Sequence, residues 1–253
     1  MIVSQLGRSD ATSVHIGDLD LASDLMGTAS LTDMVYLMIR GRLPSDNERR
    51  LLDACMVGLV DHGMTPSVMA TRLTYLGSPE SLQGAVAAGL LGLGSVFVGS
   101  IEGCARMLQE TVTGEYTDLG SVAEQIVDQQ LRSHGQIPGL GHPVHTPVDP
   151  RAERLLQLAS GRVQGSYVTL MHAVRAAANE RLSKNLVLNV TGAIGAVLSE
   201  LGFDWQIVRG VGLVARCAGL VGHLAEEQRN PAARAMWRMV EADVSVDSDR
   251  DTT

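Results

Sequence analysis

Aromatic residues are scarce in this chain: 2 Phe, 2 Trp and 4 Tyr make up 3% of its 253 residues. β-Sandwiches draw on aromatic and β-branched side chains to fill their pleated faces. The scarcity, set against abundant Ala, Leu, Gly, Val and Met, points instead to closely packed helices. Cysteine is rare too. Cys55, Cys104 and Cys217 stand far apart in apolar helical stretches and read as buried small hydrophobes in a reducing compartment, so a cytoplasmic location is expected. No Cys-x-x-Cys or Cys/His ligand spacing occurs, so no metal is expected. A Walker loop and a strand-linked GxGxxG are also missing. Net charge is −8 and no basic tract of five or more residues occurs, which argues against a nucleic-acid partner. An anionic substrate remains compatible, because a few arginines can dominate one pocket. Apolar runs are interrupted by glycine or charge before about 20 residues, so no membrane span is expected. The N-terminus has no basic segment leading into an apolar core, so no signal peptide is expected.

What is present suffices for a globular fold. The chain is 45% hydrophobic and 19% charged, which excludes disorder and suits one or two domains with a sizeable core. Periodicity and stop signals predict an all-α protein of about ten helices. Ser30 is a helix N-cap, and Ser45-Asp-Asn-Glu48 has the form of a capping box. Val14–Ile16 is a candidate short strand. The stretch from Leu82 to Gly94 is rich in Gly and Ala and predicts a core helix packed at short range. Residues 120–134 show one apolar face at Val122, Ile126, Val127 and Leu131. Residues 185–190 read equally as a short buried strand or a helix entry. The Asp- and Ser-rich tail from Asp243 is expected to fray.

One stretch stands out: Gln136-Ile-Pro-Gly-Leu-Gly-His-Pro-Val-His-Thr-Pro-Val-Asp-Pro-Arg151. Its four prolines exclude a regular helix or an inner strand. Gly139 and Gly141 permit close backbone approach to a ligand with exposed amides. A stiff loop that presents His142, His145 and Arg151 has the make-up of an active-site wall, although the same residues also suit a proline-rich connector.

The segment Pro138-Gly-Leu-Gly-His142 followed by Asp149-Pro-Arg151 resembles the active-site loop of the citrate synthase superfamily, with the same His-to-Arg spacing. Asp61-His62-Gly63, Asn189-Val190 and Arg216-Cys-Ala-Gly-Leu-Val-Gly-His223 match further motifs in the family's order. The resemblance runs from about residue 16 to residue 240 and is to the short, citryl-CoA lyase-like form, the module at the C-terminus of ATP-citrate lyase. It implies a multi-helix fold with a large and a small helical domain. The large domain would take residues 1–110 and 212–253, and the small one, with the loop, 111–211. It implies a homodimer or higher homo-oligomer. It also implies a CoA thioester as substrate and an oxo-acid as co-product.

By residue, the resemblance gives His142 an oxygen of the substrate to contact, and gives His62, Arg151 and Arg216 carboxylates to hold. The backbone of Ile137, Gly139, Leu140 and Gly141 falls where the family packs the adenine of CoA. Arginine suits carboxylate recognition because its planar fork donates two parallel hydrogen bonds. Two departures matter. The family's catalytic aspartate after Asn-Val is Thr191 here, and a turn histidine is Phe97, as in the lyase branch. Pro143 stands where an arginine often follows the loop histidine. Threonine has no useful acid–base pKa, which leaves His145 as a substitute base. His172 and His223 read as helix-face or supporting residues. The implied activity is cleavage of citryl-CoA or a similar 3-hydroxy-acyl-CoA. Citrate synthase-type condensation and a non-catalytic acyl-CoA-binding relative are the alternatives.

Overall fold

A computed structural model describes residues 4, 6–111, 118–142 and 145–244. Pro143 and most of the acidic tail, residues 245–253, lie outside the described residues. Among those described are eleven α-helices and one small antiparallel sheet. The sheet is a meander of β1 (Gly7–Ser9), β2 (Val14–Ile16) and β3 (Leu19–Asp20), with Arg8 paired to His15 and His15 to Asp20. A single π-helical turn, Leu21–Leu25, follows it.

Compact groups of contacts divide the chain into two units. The first comprises residues 1–58 and 95–212, and the second 59–94 and 213–253.

In the first unit, α1 (Leu31–Arg40) starts at the expected Ser30 cap and ends at Gly41 in the left-handed region. The capping box predicted at Ser45 starts α2 (Asp46–Val57), where the Glu48 side chain reaches back to the cap. The next helices are α5 (Gly99–Gln109), α6 (Leu119–His134), α7 (Pro150–Ala159) and α8 (Ser166–Leu182). Then come α9 (Val190–Glu200) and the first turns of α10 (Trp205–Arg229). Helix α9 is the hub. Nine of its residues are buried, and α5, α7 and α8 all pack on it. The face predicted on α6 is buried at Val122, Ile126 and Val127, against Leu170, Met171 and Val174 of α8. Each such side chain contributes about 1.5–3 kcal/mol by leaving water. Residues 185–190 form neither a full strand nor a helical turn: Leu188 makes one bridge to Leu140, and α9 starts at Val190.

The second unit holds α3 (Pro66–Gly77), α4 (Leu82–Leu91), the rest of α10, and α11 (Ala233–Asp243). The small residues of α4 act as expected. A Cβ on Gly89 would lie 2.0 Å from Thr71 Oγ1 and 2.8 Å from the Ser67 carbonyl oxygen, so α3 and α4 meet at backbone range. Helix α10 departs from the sequence expectation. Its 25 residues include a window of mean hydropathy 1.4, long and apolar enough to cross a membrane by length and composition alone. The glycines and isolated charges that interrupt it do not lower its average enough. In the fold Val208 and Val211 are buried in the first unit and Ala215, Leu220 and Leu224 in the second, while Ile207, Val214 and Val221 are exposed.

Helix α2 stops at Val57, so Asp61 and His62 lie in the irregular segment beyond its end. Cys55 and Cys104 are fully buried and Cys217 partly so, and all three are free thiols. Burial raises both buried thiols, Cys104 to about 12.

Candidate active site

The glycine-proline loop is tied to the entry of α9. The Gly141 N–H donates to the Val187 carbonyl at 2.7 Å, and the Asn189 N–H to the Gly139 carbonyl at 3.0 Å. Asn189 Nδ2 donates to the Gly141 carbonyl at 2.8 Å. The Gly141 amide is therefore engaged within the protein, not exposed as the sequence suggests, because it holds the loop to α9. Gly139 and Gly141 have φ of 87° and 86°, which suit glycine. A Cβ on Gly139 would come within 2.6 Å of the Gly192 Cα, so loop and helix touch backbone to backbone.

Asp149, fully buried, caps α7 and closes the loop. Its Oδ1 accepts from Arg151 N–H at 3.0 Å and Nε at 3.1 Å. Its Oδ2 accepts from Arg151 Nη2 at 3.0 Å and from the Val190 N–H at 2.9 Å. Burial acts to raise its pKa, but the bonds from Arg151 and Val190 outweigh that and hold it below the usual carboxylate range. The Nε–Nη2 edge of Arg151 thus meets a protein carboxylate.

His142 Nδ1 accepts the His145 backbone N–H at 2.9 Å. A ring nitrogen that accepts carries no proton, so neutral His142 has its proton on Nε2. Arg151 Nη2 lies 3.4 Å from that Nε2. Both are donor groups, the kind that suits an anionic oxygen. The His145 ring lies on the His142 ring, centroids 4.3 Å apart at 32°. Beside this loop a cleft of about 380 Å³ is lined by Pro147, Val148, Asp149, His172, Arg175 and Leu188. Burial, and then the charge of Arg175, lower the pKa of His172.

Thr191 occupies the second turn position of α9. Its hydroxyl donates to Asn189 Oδ1 at 2.7 Å and accepts from Ser100 Oγ at 3.0 Å. Asn189 Oδ1 also caps α9 by accepting the Gly192 N–H at 3.0 Å. Where the resemblance expects a carboxylate there is a neutral hydroxyl, inside the chain Ser100–Thr191–Asn189–Gly141. Sequence reading did not find Ser100, since nothing marks it until α5 is laid on α9. Phe97 is 44% exposed, and its carbonyl is a second acceptor for Ser100 Oγ at 3.1 Å.

His62 and Arg216 belong to the second unit. Arg216 is buried on α10, whereas His62 is exposed in its irregular segment. Asp61 beside it has a lowered pKa: burial raises it, but hydrogen bonds from His223 and from the Gly63 and His62 backbone prevail. Among the described residues, no three His, Cys, Asp or Glu side chains gather as a metal site.

The fold has counterparts among solved structures. Residues 12–239 match the family model for the citrate synthase C-terminal domain. The chain belongs to the citrate synthase family. A solved citryl-CoA lyase from Hydrogenobacter thermophilus is 32% identical with a TM-score of 0.83, over 100% of this chain and 94% of that one. ATP citrate lyase from Methanothrix soehngenii, solved with citrate and coenzyme A, is 21% identical with a TM-score of 0.75, over 90% of this chain and 39% of that one. A probable ATP-citrate synthase subunit 1 from Schizosaccharomyces pombe is 27% identical over 221 residues, 79% of this chain and 35% of that protein. The chain thus spans about a third of the length of the curated relatives it matches. The all-α citrate synthase fold expected from the sequence, in its lyase-like form, is the one found.

Proposed function

We propose that this chain is a carbon–carbon lyase acting on a CoA thioester, and that it cleaves citryl-CoA or a similar 3-hydroxy-acyl-CoA to acetyl-CoA and an oxo-acid such as oxaloacetate. The observation that carries this reading is the likeness to a citryl-CoA lyase along nearly the whole of both chains.

In such a cleavage a base takes the proton of the C3 hydroxyl and the oxygen becomes a carbonyl. The C2–C3 bond breaks, and its electron pair becomes the enolate of the thioester, which is then protonated to acetyl-CoA. The Nε2–H of His142, beside Arg151 Nη2, suits the oxygen on which charge grows. A ring with its proton on Nε2 is a poor acceptor for the hydroxyl proton. The base role therefore falls to His145, stacked upon it. Arg151, His62 and Arg216 take the carboxylate roles, Arg151 with its Nε–Nη2 edge braced on Asp149. The backbone of Ile137, Gly139, Leu140 and Gly141 takes the adenine side of CoA. The proton taken from the hydroxyl returns to the enolate carbon from the protonated base, since Thr191 has no acid–base pKa suited to that transfer in either direction.

A second reading, a non-catalytic acyl-CoA-binding protein, draws support from the Thr191 hydroxyl, whose proton is already given to Asn189. The test is to incubate purified protein with citryl-CoA and follow oxaloacetate by NADH oxidation with malate dehydrogenase. Release of oxaloacetate supports the lyase. Ester binding without release, across a panel of hydroxy-acyl-CoA esters, supports the second reading. The active form is proposed to be a cytoplasmic homodimer.

A further inference from the structure

The second unit contains a chain of charges, buried at Arg72 and Glu227 and reaching the surface at Asp61, that the proposed chemistry does not use. It starts at the amino end of α11, where Glu227 accepts the Ala232 N–H at 3.0 Å and the Ala233 N–H at 2.9 Å. Arg72, 2% exposed and the single charged residue of α3, donates from Nη1 to Glu227 Oε2 at 2.7 Å. Its Nη2 contacts exposed Glu226 and lies 3.0 Å from Nδ1 of His223 on α10. His223 Nε2 is 2.7 Å from Asp61 Oδ1, and Asp61 Oδ2 accepts the Gly63 N–H at 3.1 Å.

The direction of every bond is fixed by chemistry. A guanidinium only donates, so His223 Nδ1 must accept, and the ring proton sits on Nε2. That proton points at Asp61, whose carboxylate then gathers the amides of the segment that carries His62. From Glu227 to His62 the chain has no slack. Arg72 is too deeply buried to turn away from Glu227 without leaving an unpaired charge, which costs several kcal/mol. We propose that His223, held in its Nε2–H tautomer by Arg72, is a positioning residue that sets the orientation of His62 through Asp61. The inference rests on the reading of His62 as a carboxylate contact. It adds to that reading a reason for the His223 imidazole: a ring with an acceptor on one nitrogen and a donor on the other links a guanidinium to a carboxylate in line.

The test uses His223→Phe, which keeps the ring volume and removes both bonds, and His223→Gln, whose amide restores a donor and an acceptor. Ring ¹⁵N spectra of the full chain should show wild-type His223 protonated at Nε2 and bare at Nδ1. In His223→Phe the His62 ring signals and their titration should shift, and citrate should bind at least about tenfold more weakly by calorimetry. His223→Gln should recover part of both. Circular dichroism and melting of each variant separate this from unfolding. His62 signals and citrate affinity that stay at wild-type values in a folded His223→Phe would overturn the proposal, as would a wild-type His223 protonated at Nδ1. Wild-type protein that binds neither citrate nor any CoA ester, while the His62 signals still move in the variant, would sink the functional reading and leave the positioning intact.

Discussion

Ser100 Oγ donates to Thr191 Oγ1 across 3.0 Å, and Thr191 passes its own proton to Asn189. The hydroxyl is thereby an internal link between α5, α9 and the loop, not a group turned toward chemistry. Thr191→Val should lower stability by about 1 kcal/mol, because Ser100 and Asn189 each lose a partner. Turnover on citryl-CoA should change less than about threefold. Melting curves and initial rates check both, and a loss of turnover by an order of magnitude or more would make the hydroxyl catalytic.

Arg151→Lys should not behave as a conservative change. Lysine keeps the charge but cannot meet both oxygens of Asp149 while its backbone N–H holds one of them. Roughly 1.5–3 kcal/mol of charge-assisted bonding is lost, visible as a lower melting temperature and a kcat/KM down by about ten- to a hundredfold. Should melting fall while kcat/KM holds, Arg151 only supports Asp149.

His142→Ala should act on kcat more than on KM, by about two orders of magnitude, because its Nε2–H meets an oxygen that gains charge in the transition state. Steady-state kinetics at saturating citryl-CoA decides it. Unchanged turnover and unchanged ester affinity would reduce the loop to a connector.

Acid should unfold the protein through Asp149 and Glu227. Both carboxyls have folded pKa values below their unfolded ones, so each binds fewer protons when folded. Their stabilisation is complete above the unfolded value of about 4 and is lost as pH falls through the folded values. Asp149→Asn and Glu227→Gln should lower the melting temperature at pH 7 and flatten its decline below about pH 4. Melting measured across that range checks the slope.

Self-association should be evident in sedimentation at micromolar concentration, at about twice the 26.9 kDa of one chain. Leu91, 87% exposed at the end of the uncharged helix α4, is the kind of side chain an interface covers. Leu91→Lys should shift the species toward monomer. A wild-type monomer at that concentration would exclude the homodimer.

Much of this was legible because it is local. Ser30, Ser45 and the small residues of α4 state their structural roles within a few neighbours, and the spacing of His142 and Arg151 needs no partner to be noticed. Other features form only once distant segments meet. Ser100 gains its role from α9, some ninety residues on. Arg72 did carry a sequence signal, as a lone charge in an otherwise uncharged helix, but its partners Glu227 and His223 are over 150 residues away. The amide of Gly141 was read as exposed because its acceptor, Val187, comes from another part of the chain. Helix α11 has no counterpart among the expected elements, although its apolar residues recur at helical spacing.

The contact between Gly139 and Gly192 constrains how this protein can change over generations. A methyl group at either position meets backbone atoms of the other at under 3 Å, and neither backbone can be trimmed to make room. No gradual series of side chains leads away from this pair, since even alanine is too large. Variation in the loop must therefore enter at its neighbours, such as the partly exposed Pro138 and Leu140. A library randomised at residues 139 and 192 should return glycine at both.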